Sequence, residues 1–210
     1  MNHIFNFFFS QYAEYDIFDI VLEIVAVIFG FLSVWFSKQN KIWVFPTGMI
    51  STLIFVYLLF KWELLGDMMI NAYYFVMSIY GWYIWTRKVD ETHVTPISIT
   101  TNKEKITGIG IFLATLLFVF IVYKYFNKWT SWVAYVDTFT TAIFFVGTWL
   151  MAKRKIENWI FWIVGNIVSV PLYFYKGLTF TSLQYFGFTV IAIFGYLAWK
   201  KSLNKEIVIA

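Results

Sequence analysis

Two indoles and an amide stand close together in Trp159-Ile160-Phe161-Trp162-Ile163-Val164-Gly165-Asn166. At about 100° per residue, Trp159, Trp162 and Asn166 fall on one helix face about 60° wide. Two aromatic plates beside one hydrogen-bonding amide can hold a flat, polar, cationic ring. A plainer reading also fits these residues: the indoles anchor a helix end at a membrane interface and Asn166 bonds a neighbouring helix. Four further places carry polar groups inside apolar stretches: Glu23 with Asp19 at i, i+4; Asn71 with Asp67 at i, i+4; Asp137 beside Thr138, Thr140 and Thr141; and Gln184 with Tyr185. An unpaired carboxylate at a bilayer centre costs roughly 2.5–3.5 kcal/mol on insertion scales, so each needs a reason to be there. Asp19 and Asp67 sit near span boundaries and read as hydrated. Glu23 and Asp137 lie deeper and read equally as protonated structural donors or as groups that attract a cation. Acids at an outer mouth with aromatics further in would suit uptake of a small aromatic cation.

The elements that must position these groups are membrane helices. The chain has 210 residues, 60% of them hydrophobic and 24% aromatic, and only 13% charged, too little charge for the surface of a soluble domain of this size. Long uncharged runs recur throughout, which predicts an all-α, polytopic integral membrane protein in contact with lipid. Seven spans are expected, at 18–37, 42–60, 66–86, 106–126, 132–151, 159–175 and 179–199, each near the ~20 residues a bilayer core requires. A long polar connection, 86–105, divides them into three, one and three. Twelve Lys and Arg residues lie on one set of alternating connections. Only Lys61, Lys124, Lys128 and Lys176 lie on the other, which predicts the N-terminus outside and the C-terminus in the cytoplasm. The first residues, Met1 to Ser10, have no basic n-region and do not read as a signal peptide; Phe5, Phe7, Phe8 and Phe9 suit an interfacial belt. Pro46 and Pro171 are expected to kink the second and sixth spans.

The two triplets resemble one another. Gly30 and Gly147, Lys38 and Lys155, Gly48 and Gly165, and Ile50 and Ile167 match at an offset of 117. Lys61 and Lys176 match at 115, and Gly81 with Gly195 and Trp85 with Trp199 at 114. One odd span between two triplets gives both the same orientation, as a parallel repeat requires. Such repeats are frequent in transporters, with the site between the halves near the midplane. A duplicated scaffold without transport is the alternative.

Other classes lack their residues. There is no P-loop and no HExxH, and the His residues, His3 and His93, lie outside the spans. The last span has no Lys for a retinal, and no TVGYG filter is present. No nucleophile–base pair or metal cluster is readable, so an enzyme, a metal or a cofactor is not expected. The chain has no Cys, so disulfides are excluded. The net charge of +4 comes from short loops and does not indicate a nucleic-acid partner.

Seven spans arranged three-one-three, the Trp159-x-x-Trp162-x-x-x-Asn166 face, the Tyr173-Phe-Tyr-Lys-Gly-Leu178 turn and the Gly195-Tyr-x-x-Trp199 ending resemble the PnuC family of bacterial vitamin transporters. The resemblance covers essentially the whole chain. It implies a full-length SWEET-like fold: an extracytoplasmic segment 1–17, a first three-helix bundle 18–86, a cytoplasmic loop and linker helix 87–131, a second bundle 132–199 and a cytoplasmic tail 200–210. It also implies a homotrimer in the inner membrane and facilitated diffusion of a small-molecule vitamin, trapped by phosphorylation in the cytoplasm. By this resemblance Trp159, Trp162 and Asn166 form the ligand-binding face of the sixth span. Glu23, Asn71, Asp137, Gln184 and Tyr185 are further candidates from polarity and depth alone. Nicotinamide riboside is the expected substrate and thiamine the alternative, both being flat cations bearing hydroxyls. Riboflavin, neutral and larger, fits the acidic residues less well. A membrane sensor that binds without transporting is a separate reading.

Overall fold

The computed structural model describes residues 16–61, 65–87, 95–127, 129, 131–175 and 179–209. The expectations for Phe5 to Phe9, His3, His93, Lys128 and Lys176 to Leu178 therefore lie outside the described residues. Seven helices run through the described residues: α1 (Ile17–Lys38), α2 (Val44–Lys61), α3 (Leu65–Thr86), α4 (Asn102–Tyr125), α5 (Trp132–Ala152), α6 (Asn158–Tyr175) and α7 (Thr179–Ile209). Each coincides with a predicted span. Asp16 caps α1 by accepting from the Phe18 N–H at 3.3 Å. Thr101 and Glu104 form a reciprocal capping box at the start of α4. Five of the helices are long and apolar enough to cross a membrane. The other two are α3 and α6. They carry Asn71, Asn158 and Asn166 together with many Tyr and Trp residues, the composition of helices that face a polar interior.

One expectation about the helices is corrected, and one helix is longer than its predicted span. α7 continues unbroken past 199 to Ile209, so the residues after the seventh span are helical. Pro46 does not kink a span, because α2 starts at Val44 and places it in the first turn, where the missing N–H has no intrahelical partner to lose. Pro171 does lie within α6.

Within the first three helices, α1 packs on α2 and α2 on α3; within the last three, α5 packs on α6 and α6 on α7. The two groups meet where α3 lies on α5 and α1 on α7, while α4 packs chiefly on α5. Large apolar side chains such as Ile24, Ile28, Leu113 and Leu117 point outward from α1 and α4, as a lipid-facing surface requires.

The same local geometry recurs 114 residues along the chain. Gln39 N–H bonds Trp35 O and Lys41 N–H bonds Phe36 O; likewise Lys153 bonds Trp149 O and Lys155 bonds Leu150 O. Asn40 and Arg154 take the left-handed conformation at φ 55° and 58° in these two turns. Phe45 lies against Gly81 as Trp159 lies against Gly195, where a Cβ would stand 2.5 Å from the indole. Trp85 Nε1 donates to Met151 O at 3.1 Å, and Trp199 Nε1 donates to Ser37 O at 2.9 Å, each reaching into the opposite half. This common offset corrects the expected pairing at 117. Gly30 and Gly48 correspond to Phe144 and Trp162, not to Gly147 and Gly165. The glycine matches were displaced by three residues, about one helical turn, which keeps a residue near the same face but moves it along the helix.

The connection between the halves is pinned to the α5–α6 turn. Ser98 N–H bonds Arg154 O and Ile156 N–H bonds Ser98 O, a parallel bridge. Glu157 accepts from Thr100 N–H at 2.9 Å and its hydroxyl at 2.7 Å. Arg154, expected only as a loop charge, is buried. It lies 4.6 Å over the Trp85 ring and donates to Asn40 Oδ1 and to Thr95 O.

Candidate functional site: a cavity between the two halves

A cavity of about 340 Å³ opens between the first three helices and the last three, with α4 contributing nothing to its lining. Six of the eight residues singled out from sequence line it: Asn71, Trp159, Trp162, Asn166, Gln184 and Tyr185. Glu23 and Asp137 are not among the lining residues; both are half-buried, on α1 and α5, and both have partners in the protein. The expectation for Asp19 is corrected. It is 2% exposed rather than hydrated, and Lys61 from the end of α2 reaches it at 2.6 Å. The paired cation explains why this carboxylate is tolerated there. Asp67 is exposed, as expected.

The Trp159, Trp162 and Asn166 face owes its position to the turn before α6. Asn158 at its start donates to Lys155 O at 2.6 Å and fixes the entry angle. The Trp159 ring then drops onto Gly195 of α7 and meets Trp199 edge-on at 5.6 Å. One and two turns on, Trp162 and Asn166 follow on the same side. Trp162 continues into an aromatic wall: its ring lies 5.2 Å from Phe144, which lies 6.1 Å from Tyr185, and Tyr185 stacks on Tyr173 at 4.9 Å.

Two kinds of polar atom stand out in the lining. Ser33, Ser51, Thr52, Ser78 and Thr148 each donate their hydroxyl proton to a backbone carbonyl, at 2.7–2.9 Å. Their oxygens are left with acceptor lone pairs. The second kind has no partner in the protein: Trp159 Nε1, Asn166 Oδ1 and Ser37 Oγ, on residues 2%, 1% and 2% exposed. A buried polar atom left unpaired costs about 1–3 kcal/mol, and such atoms mark places where a ligand or water completes the bonding. Among the described residues no Lys, Arg, Asp or Glu lines the cavity. Val44, Trp159 and Ala192 belong both to the lining and to the buried cluster of Phe45, Trp85 and Trp199. The cavity therefore ends on packed core at the end of the bundle that bears the basic turns.

The hydroxyls and small residues of α1 and α2 were missed from sequence. Gly30, Ser33 and Ser37 share a face at helical spacing, as do Gly48, Ser51 and Thr52, and that spacing was the available signal. Among the described residues no group of His, Asp and Glu is placed to hold a metal.

A bundle of membrane-crossing helices with an uncharged, aromatic-walled and partly unsatisfied cavity between its halves defines a solute transporter. The chain belongs to the nicotinamide mononucleotide transporter family, the PnuC family, whose model matches residues 20–201. This is a family of membrane transporters rather than enzymes. The chain is 23% identical over 209 residues to the nicotinamide riboside transporter PnuC of Escherichia coli (strain K12), covering 88% of this chain and 87% of that one. It is 25% identical over 183 residues to the riboflavin/roseoflavin transporter RibM of Streptomyces davaonensis, covering 84% and 83%. It is 25% identical over 197 residues to the PnuC of Neisseria mucosa, covering 88% and 74%. The crystal structure of a vitamin B3 transporter PnuC matches the fold with a TM-score of 0.64 at 24% identity, over 88% of this chain and 82% of that one.

Proposed function

We propose that this protein carries nicotinamide riboside across a bacterial inner membrane by facilitated diffusion, with capture by phosphorylation in the cytoplasm. The observation that carries this reading is the set of buried, unpartnered atoms, Trp159 Nε1, Asn166 Oδ1 and Ser37 Oγ, on residues that line the cavity together with Phe144 and Trp162. The amide oxygen and the spent hydroxyls offer acceptors to a carboxamide and to ribose hydroxyls. The aromatic faces stabilise the positive ring without a counter-carboxylate. A nucleotide is disfavoured: its phosphate would enter a cavity to which the described residues contribute no Lys or Arg, and an unpaired dianion there is costly. Trp159, Trp162, Asn166, Asn71, Gln184 and Tyr185 form the substrate site on this reading. Segments 18–86 and 132–199 act as two SWEET-like three-helix bundles joined by the linker helix within 87–131. Segment 1–17 lies outside and 200–210 in the cytoplasm, and three copies assemble in the membrane. The recurrence of contacts at 114 residues supports the two bundles, and the sixteen basic residues, biased to one end, support the orientation.

Calorimetric titration of the purified protein with nicotinamide riboside, nicotinamide mononucleotide, thiamine and riboflavin tests the substrate. Selective binding of nicotinamide riboside is expected. Selective binding of thiamine or riboflavin would keep the transporter and replace its cargo; no binding of any would remove the site. Uptake into liposomes should reach the same final distribution with and without a pH gradient. Binding without flux would turn the protein into a sensor.

A further inference from the structure

Resting on the reading of the central cavity as the vitamin site, we propose that Gly30 and Gly48 are specificity-determining residues. They hold open, in the first half of the protein, the two volumes that Phe144 and Trp162 fill in the second. The ligand's ring is seated in that vacated space, against the aromatic wall.

The argument is one of broken symmetry. The shared turn geometry at 114 residues sets Gly30 on Phe144, Ser33 on Gly147, Gly48 on Trp162 and Ser51 on Gly165. The contacts between these positions recur as well. A Cβ on Gly30 would meet Ser51 Oγ at 3.2 Å, and in the second half the Phe144 ring lies against Gly165. A Cβ on Gly48 would meet Ser33 Oγ at 3.1 Å, and a Cβ on Gly147 would stand 3.6 Å from Trp162 Nε1. Each helix crossing thus pairs a small residue with a partner. In the second half the partner is a large ring; in the first half it is small too. Gly30, Ser33, Gly48 and Ser51 all line the cavity opposite Phe144 and Trp162. A two-fold backbone with two equivalent lobes therefore has one lobe filled by its own side chains and the other left open. Trp159, Asn166 and Ser37, the residues that carry unpartnered atoms, line the same cavity. The pair at each crossing, not the glycine alone, sets the room: a ring at position 30 needs a glycine at 51, as Phe144 has at 165.

The test grafts the second-half pairs into the first half. In a Ser51→Gly background, position 30 is made Gly, Ala, Leu and Phe, and nicotinamide riboside affinity is measured by calorimetry with ligand-free thermal unfolding alongside. S51G itself, which lacks one lining hydroxyl, is the baseline for the series, and relative to it affinity should fall stepwise with the side-chain volume at position 30, by at least about tenfold at Phe. The graft Ser33→Gly with Gly48→Trp should abolish binding in the same way. Folded variants whose affinity does not follow volume would overturn the proposal. Should the Phe and Trp grafts fail to fold, the Gly30→Ala and Gly48→Ala variants still decide it, since unchanged affinity in both is the overturning result. A parent protein that binds none of the vitamins would instead defeat the functional reading, before any variant is made.

Discussion

Asn166 is 1% exposed and its Oδ1 meets no donor in the protein. Such an atom lowers the stability of the empty protein and raises the affinity for whatever satisfies it. Asn166→Leu, similar in volume and without the carbonyl, should therefore leave ligand-free thermal stability unchanged or higher. It should weaken nicotinamide riboside binding by at least about tenfold, as sites built to hydrogen-bond a ligand do when the pairing is lost. A drop in unfolding temperature with affinity intact would make Asn166 a structural residue. Trp162→Ala should cost about 1–3 kcal/mol of binding free energy, the range found for ring-on-ring stacking; unchanged calorimetric affinity in the folded variant would remove Trp162 from the site. Both residues stood out in the sequence because an amide and indoles share one helix face in an apolar span, and both line the cavity. The facing lobe did not stand out, since Gly30, Ser33, Gly48 and Ser51 read as helix-packing residues, and only the opposing helices reveal that their smallness makes room. Glu23 and Asp137 drew attention as charges in a span, but polarity and depth alone do not say whether a side chain reaches the cavity lining, and neither is in it.

Helix ends were legible to within a few residues, since the switch from apolar run to charge marks where lipid gives way to water. The length of α7 was not, because Lys200, Lys201 and Lys205 signal the end of a span but not the end of a helix. The repeat was visible, yet its register was set wrongly by matching glycines. Hydrogen-bonded turns fix register through backbone geometry, whereas a small residue can serve either helix at a crossing. Two consequences belong to single elements. Gly195 of α7 carries the Trp159 ring, and a Cβ there would lie 2.5 Å from it. Gly195→Ala should lower stability by about 1–3 kcal/mol through overpacking, whereas Gly110→Ala on α4, with nothing within 4 Å, should not lower it; thermal unfolding in detergent compares them. Glu104 lies in the first turn of α4, before the predicted span 106–126. Partial burial pushes its carboxyl up, but the Thr101 N–H and the ammonium groups of Lys153 and Lys155, both at 3.0 Å, outweigh that and hold it at about 2, below the usual 4.5. A depressed folded value adds stability that is complete above pH 4.5 and is lost as pH falls towards about 2. The unfolding temperature should therefore fall in that window, and Glu104→Gln should flatten the fall.

At the scale of the whole molecule, the two halves hold each other by a reciprocal clasp: Trp85 reaches Met151 O, Trp199 reaches Ser37 O, and the two indoles meet at 5.7 Å. Trp85→Phe and Trp199→Phe should each cost about 1 kcal/mol. Because the rings touch, the double variant should depart from additivity, by 0.5 kcal/mol or more on the usual scale of roughly 0.5–3 for residues in contact; strict additivity in thermal unfolding would show the clasp to be two independent anchors. The clasp also bears on the order in which the chain assembles. Contacts inside each half join helices that are neighbours in sequence, so α1–α2–α3 can pack as soon as it leaves the translocon. The α1–α7 seam instead joins helices far apart in sequence, with Ser37 and Trp199 at its end. It cannot close until α7 has been made. Until then the hydroxyl-lined face of the first half has no partner, and the growing protein exposes to the bilayer the same surface that later lines the central cavity.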